Sequence, residues 1–177
     1  MSKSVSILEL RRIEAAILKD VYDTVLELHG KQQAEEVIEQ AVKKSAIAQG
    51  RSMRALKSDG SAGNGDRNDG RNRDDNPDNM PDLEDFADLI PLWQADGALE
   101  IEKLHSSRDR LEFNVTRCRY SLMYREMGLE KIGHLLSCNR DAAFCIGYNP
   151  RMKLSRSQTI MQGAEFCDFR YSLKDGE

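Results

Sequence analysis

The sequence predicts an α+β domain, in which an N-terminal helical hairpin is followed by a small antiparallel sheet with helices packed on one face. Three observations carry this expectation. Apolar residues recur at three- and four-residue steps through the first fifty positions. The period then changes to two at Leu99–Ile101 and again at Leu111–Val115. Between these stretches lies a polar segment with almost nothing to bury. The 177 residues suit a single core, divided as 1–57 (hairpin), 58–79 (polar insert) and 80–177 (α+β part carrying the site).

Each element follows in order. From Ile7 to Leu28 the positions Leu10, Ile13, Ile17, Val21, Val25 and Leu28 make one helical stripe, expected to face the core, and Gly30 ends the helix. A second stripe runs through Ala34, Val37, Ile38, Ala41, Val42, Ser45 and Ala48, with Gly50 as its expected stop. The insert, SDGSAGNGDRNDGRNRDDNPDN, has Ala62 as its one apolar side chain and is expected to be a disordered linker. Pro81 then opens a short helix through Leu83, Phe86, Leu89, Ile90 and Trp93, which Pro91 should kink or split. A β-hairpin over Leu99–Thr116 follows, and strict alternation would put Cys118 on the face of Asn114 and Thr116, away from Leu111, Phe113 and Val115. Helices are expected over Ser121–Gly128 and Lys131–Gly147. Strands are expected over Ser157–Gln162 and Glu165–Leu173, joined by a type II′ turn at Gly163-Ala164 that sets Thr159 opposite Asp168 and Ser157 opposite Arg170.

Composition narrows the function classes. A net charge of -4 lacks the clustered Lys and Arg of a nucleic-acid footprint, so no nucleic acid is expected. No apolar run is long enough to span a bilayer, and the N-terminus has no signal-peptide pattern, which leads to the expectation of a cytoplasmic protein without a membrane partner. In a reducing compartment Cys118, Cys138, Cys145 and Cys167 should be thiols, serving packing, catalysis or metal binding. There is no C-x-x-C pair and no H-x-x-x-H pair, so a zinc site has weak support, and no metal or cofactor is expected. P-loop, dinucleotide and G-x-S-x-G motifs are absent.

The chemistry concentrates on the helix after Lys131. Its apolar residues Ile132, Leu135, Leu136, Ala143 and Ile146 share one face. His134, Cys138, Asp141 and Cys145, at steps of four, three and four, form a second stripe. Two thiols on open surface are unusual, so this stripe is expected to line a cavity or an interface. Cys138 is the candidate nucleophile, with His134 or Arg140 favouring its thiolate and Asp141 as acid/base. The same cysteines could equally be small buried hydrophobes, and spacing alone does not choose.

Arg117-Cys118, the string Ser137-Cys138-Asn139-Arg140-Asp141, Asn149-Pro150, the Arg156–Gly163 segment and Cys167-Asp168-Phe169-Arg170 together resemble the L-2-amino-thiazoline-4-carboxylic acid hydrolase family of bacterial proteins. The resemblance implies opening of a cyclic isothiourea carboxylate to an N-carbamoyl amino acid such as N-carbamoyl-L-cysteine. It places Cys138, Asp141 and His134 in catalysis, and Arg170, Arg156, Asp168, Thr159 and Cys118 around a small-molecule carboxylate substrate. The pattern Gly163-x-x-x-Cys167-x-Phe169 is also faintly similar to the vinyl-reductase-type ligand-binding domains, which leaves a non-catalytic sensor of small molecules or metal as the alternative.

Overall fold

The computed structural model describes residues 5–60 and 80–174. Helix α1 (Ile7–His29) starts at Ser6, whose hydroxyl accepts from the Glu9 N–H at 3.3 Å. It stops at Gly30, where φ is +82° and the N–H donates to the Leu26 carbonyl. Helix α2 (Lys31–Gly60) packs back along it through Ala34, Ile38, Val42 and Ala46, completing the expected hairpin. Residues 58–60 continue α2, and the rest of the polar insert expected over 58–79 lies outside the described residues.

Two expectations about the hairpin are corrected. Helix α2 does not end at Gly50, which is buried mid-helix against α6 (Asn139–Tyr148). A Cβ there would meet the Phe144 carbonyl oxygen and the Tyr148 nitrogen, and one at Gly147 would meet the Ile47 carbonyl and the Arg51 nitrogen. These glycines let two backbones touch; the lost helix propensity is about 1 kcal/mol per glycine. In α1 the stripe Leu10, Ile13, Ile17 and Val21 faces outward, Ile17 being 64% exposed. A second stripe with the same spacing, Leu8, Arg11, Ala15, Leu18 and Tyr22, faces the protein instead. Ala15 is small enough to bring the axis close, and Arg11 reaches inward to partners on α1 and α2.

Helices α3 (Leu83–Ala87) and α4 (Ile90–Gln94) replace one broken helix; the split falls at Asp88–Leu89, and Pro91 sits in the first turn of α4, where its missing N–H costs nothing. Asp82 and Asp85 close a capping box at the start of α3. The sheet is antiparallel with order β1-β2-β4-β3, comprising β1 (Leu99–Ser106), β2 (Arg110–Cys118), β3 (Met152–Ser155) and β4 (Cys167–Leu173). Leu111, Phe113 and Val115 stand opposite Tyr171, Phe169 and Cys167 on one face, which packs under α3, α6 and part of α2. The other face carries Glu112, Asn114 and Arg170.

The strand expected over Ser157–Gln162 is not formed. Asp168 accepts hydrogen bonds from the Ser157 and Gln158 N–H groups and the Ser157 hydroxyl at 2.7–3.1 Å, turning the chain away from the sheet. Residues Ile160–Gln162 form a single 3₁₀ turn ending at Gly163, where φ is +97°. The partner of β4 is β3, so Ser155 rather than Ser157 lies opposite Arg170, and Thr159 has no partner on β4. The crossover from β2 to β3 is made by α5 (Arg119–Glu126), a π turn (His134–Cys138) and α6.

Candidate functional site

A cavity of about 120 Å³ opens between the apolar face of the sheet and the helices. Its apolar walls are aromatic. Phe113 stacks on Phe169 at 4.9 Å, Trp93 meets Phe144 edge-on at 5.5 Å, and Tyr171 and Phe86 close the floor. Its polar wall combines Arg11 of α1, Gln49 of α2, and Ser137, Cys138, Arg140 and Asp141 around the start of α6. Arg156, from the segment after β3, completes it.

Cys118 reaches the cavity because of a β-bulge. The register passes from Glu100–Arg117 to Ile101–Val115, leaving Thr116 as an extra residue on β2. One extra residue in a period-two strand inverts every side chain beyond it. Cys118 therefore joins the Phe113 and Val115 face, opposite to the placement that strict alternation predicts, and burial pushes its thiol up to about 11.

The helical stripe begins in the π turn His134–Cys138 and continues along α6. Cys138 and Asp141 line the cavity. His134, one turn earlier, does not, and Cys145, one turn later, is packed with its thiol donating to the Asp141 carbonyl at 3.2 Å. Asp141 is surrounded by protein, yet 34% of its side-chain surface is accessible because it faces the cavity. Burial raises its pKa, and Arg156 opposes that rise with an ion pair of 2.6 Å. The Arg156 guanidinium also donates to the Cys138 carbonyl at 2.9 Å and lies 4.8 Å above the Phe169 ring.

The neighbouring thiol is not a resting thiolate. Burial, with the Asp141 charge behind it, pushes Cys138 up to about 12 despite Arg156. Burial raises Cys145 to about 12 as well and raises Cys167, whose sulfur accepts from the Ile160 N–H at 3.2 Å. Among the described residues no group of three or more His, Cys, Asp or Glu side chains is arranged to hold a metal ion.

Three further residues expected at the substrate lie away from the cavity. Arg170 donates to the Phe113 and Phe169 carbonyls and to Asn114, each at 2.9 Å, on the outer face of the sheet. Asp168 pins the 157–158 turn; burial pulls its pKa up, and the hydrogen bonds from Ser157 and Gln158 outweigh that and leave it lowered. Thr159 is buried against Gln162, its hydroxyl donating at 2.9 Å. Conversely, Arg11 and Gln49 line the cavity without having been singled out in the sequence. The available signal was an arginine inside the apolar spacing Leu8, Ala15, Leu18, Tyr22.

Aromatic walls, buried guanidiniums and a cavity-facing carboxylate on α6 enclose a cavity between a four-stranded sheet and its helices in an α+β domain. The chain belongs to the L-2-amino-thiazoline-4-carboxylic acid hydrolase family, whose model matches residues 60–171. Among solved structures, the phenol-responsive sensory domain of the transcription activator PoxR, with phenol, has a similar fold at a TM-score of 0.50 and 10% identity. That likeness covers 92% of this chain and 74% of the other. No curated protein matches the chain. Among the described residues, no helix is long and apolar enough to cross a membrane.

Proposed function

We propose that the protein hydrolyses a small cyclic isothiourea or amidine bearing a carboxylate, of the kind its family is named for, to an N-carbamoyl amino acid such as N-carbamoyl-L-cysteine. The observation that carries this reading is the Arg156–Asp141 pair facing the cavity beside Cys138. A ring N–C–N group presents the same fork of N–H donors as a guanidinium, so it can take Asp141 in place of Arg156. Its positive charge then lies next to Cys138 and lowers the thiol pKa, which burial keeps high in the free protein.

The Cys138 proton passes to Asp141, whose raised pKa suits it to accept, and the thiolate sulfur bonds to the ring carbon between sulfur and nitrogen. The ring carbon–sulfur bond breaks and the departing sulfur takes the proton back. Water adds to the resulting S-linked amidinium, the bond to Cys138 breaks, and the urea-type product leaves with the thiol restored. His134 takes no part in this scheme. A hydrolysis assay on 2-amino-thiazoline-4-carboxylate tests it: turnover should vanish in Cys138→Ser and fall at least about a hundredfold in Asp141→Asn. Full turnover by Cys138→Ser would overturn the covalent route.

A second reading is favoured by the high pKa of Cys138, which suits a thiol that does no chemistry. In it the cavity only binds its ligand and signals, in the manner of the phenol-responsive sensory domain of similar fold. Calorimetric binding without turnover would select it.

A further inference from the structure

One wall of the cavity is a charge cluster, built by Arg11 of α1 and Arg140 of α6, that the proposed chemistry does not use. Arg11 donates through Nη1 to both Glu14 carboxylate oxygens, at 2.9 and 2.8 Å, and through Nη2 to Gln49 Oε1 at 2.8 Å. Arg140 shares the same carboxylate, Nη1 lying 3.5 Å from Glu14 Oε2, and donates through Nη2 to Ser45 at 3.3 Å. Both arginines are 8% exposed and both line the cavity.

Three guanidiniums (Arg11, Arg140, Arg156) and one carboxylate (Asp141) line the cavity, and Glu14, outside the lining, pairs with Arg11 and Arg140. The Asp141–Arg156 pair is balanced within itself. The excess of one positive charge therefore sits on the two arginines that share Glu14. A buried, uncompensated positive charge is costly, and an anion placed against it recovers that cost in hydrogen bonds to planar, preorganised donors. Burial first, and the Arg11 charge second, lower the pKa of Arg140, which is the expected sign for two guanidiniums crowded on one carboxylate.

We propose that Arg11 and Arg140 form the anion-binding end of the cavity, holding the carboxylate of a small cyclic ligand whose ring lies against the Phe113–Phe169 wall. Arg11, Glu14, Ser45 and Gln49 lie outside the matched 60–171 region and Arg140 inside it, so the N-terminal hairpin and the matched part each supply one arginine of the site. The inference rests on the reading of this cavity as the binding site, and not on the covalent step.

The test is calorimetric titration of the whole protein with thiazole-4-carboxylate, a planar carboxylate that cannot be opened by the scheme above, and with its uncharged carboxamide. The carboxylate should bind at least about tenfold tighter than the carboxamide, the scale of a charge-assisted hydrogen bond. Arg11→Gln and Arg140→Gln should each bring the two ligands to within about threefold of each other, while Arg117→Gln, a surface change on β2, should keep the difference. Glu14→Gln should bind the carboxylate several-fold tighter than the unmodified protein, a gain that misfolding cannot produce. Failure of thiazole-4-carboxylate to bind, a preference for it that survives both arginine changes, or no gain in Glu14→Gln would each overturn the inference. Loss of turnover on 2-amino-thiazoline-4-carboxylate with the arginine-dependent preference intact would overturn the hydrolase reading alone. Turnover whose KM ignores both arginine changes would overturn this inference alone.

Discussion

Helices α6 and α1 both border the cavity, yet they are held by opposite physics. Helix α6 is fixed by backbone contact, Gly147 against Gly50 with no room for a methyl group on either. Helix α1 has no such crossing; it is attached by Ala15, by partly buried Leu8, Leu18 and Tyr22, and by the Arg11–Glu14–Gln49 network, and its most regular apolar stripe faces outward. A helix held by its backbone carries Cys138 and Asp141 to fixed positions. A helix held partly through charges owes part of its attachment to the ionic content of the cavity, which a ligand can change.

The largest effect that would sharpen this contrast comes from Gly147→Ala. A methyl group there must displace the α2 backbone at Ile47 and Arg51, and we expect a loss of about 3 kcal/mol or more in denaturant unfolding. A loss below about 1 kcal/mol would mean that the crossing gives way easily. Glu14→Gln should cost less, about 1–2 kcal/mol, because Glu14 is 41% exposed and water softens the loss of its charge. Its hydrogen-exchange signature should be confined to α1, with the α6 amides still protected; uniform loss of protection would erase the distinction between the two helices.

The thiols of the α6 stripe separate next. With Cys138 pushed up to about 12, the thiolate fraction in the free protein should rise about tenfold per pH unit through the neutral and mildly alkaline range, and iodoacetamide labelling should follow it. Cys138, facing the cavity, should label ahead of Cys145, packed and hydrogen-bonded to the Asp141 carbonyl. Labelling of Cys138 that saturates near pH 7 would show a thiolate already present in the free protein. The smallest effect belongs to Ile17→Gln. At 64% exposure it should change stability by no more than about 0.5 kcal/mol, and a loss above about 2 kcal/mol would restore the outward stripe to a core.

Local patterns in the chain determined much of this molecule. The helical hairpin, the break ahead of Pro91, the alternation of β1 and β2 and the shared face of Cys138 and Asp141, both lining the cavity, all follow from spacing and punctuation within a few residues. The Ser137–Asp141 and Cys167–Arg170 strings also carried the family. Tertiary structure decided the rest. In α1 two stripes have similar spacing, and contacts with the rest of the protein, Arg11 to Gln49 and Ala15 in the core with Ile38 and Val42, decide which turns inward. Thr116 becomes a bulge through its pairing with β1, and that alone brings Cys118 to the cavity. His134 stays off the cavity that Cys138 lines, and Asp168 uses its carboxylate to bend residues 157–158 off the sheet. Gly50 reads as a helix stop until Gly147, far along the chain, is seen to cross it. Propensity and periodicity act over one or two turns, whereas the phase of a strand past a bulge, the face of a helix and the closeness of a crossing are set by partners that only the folded chain brings near.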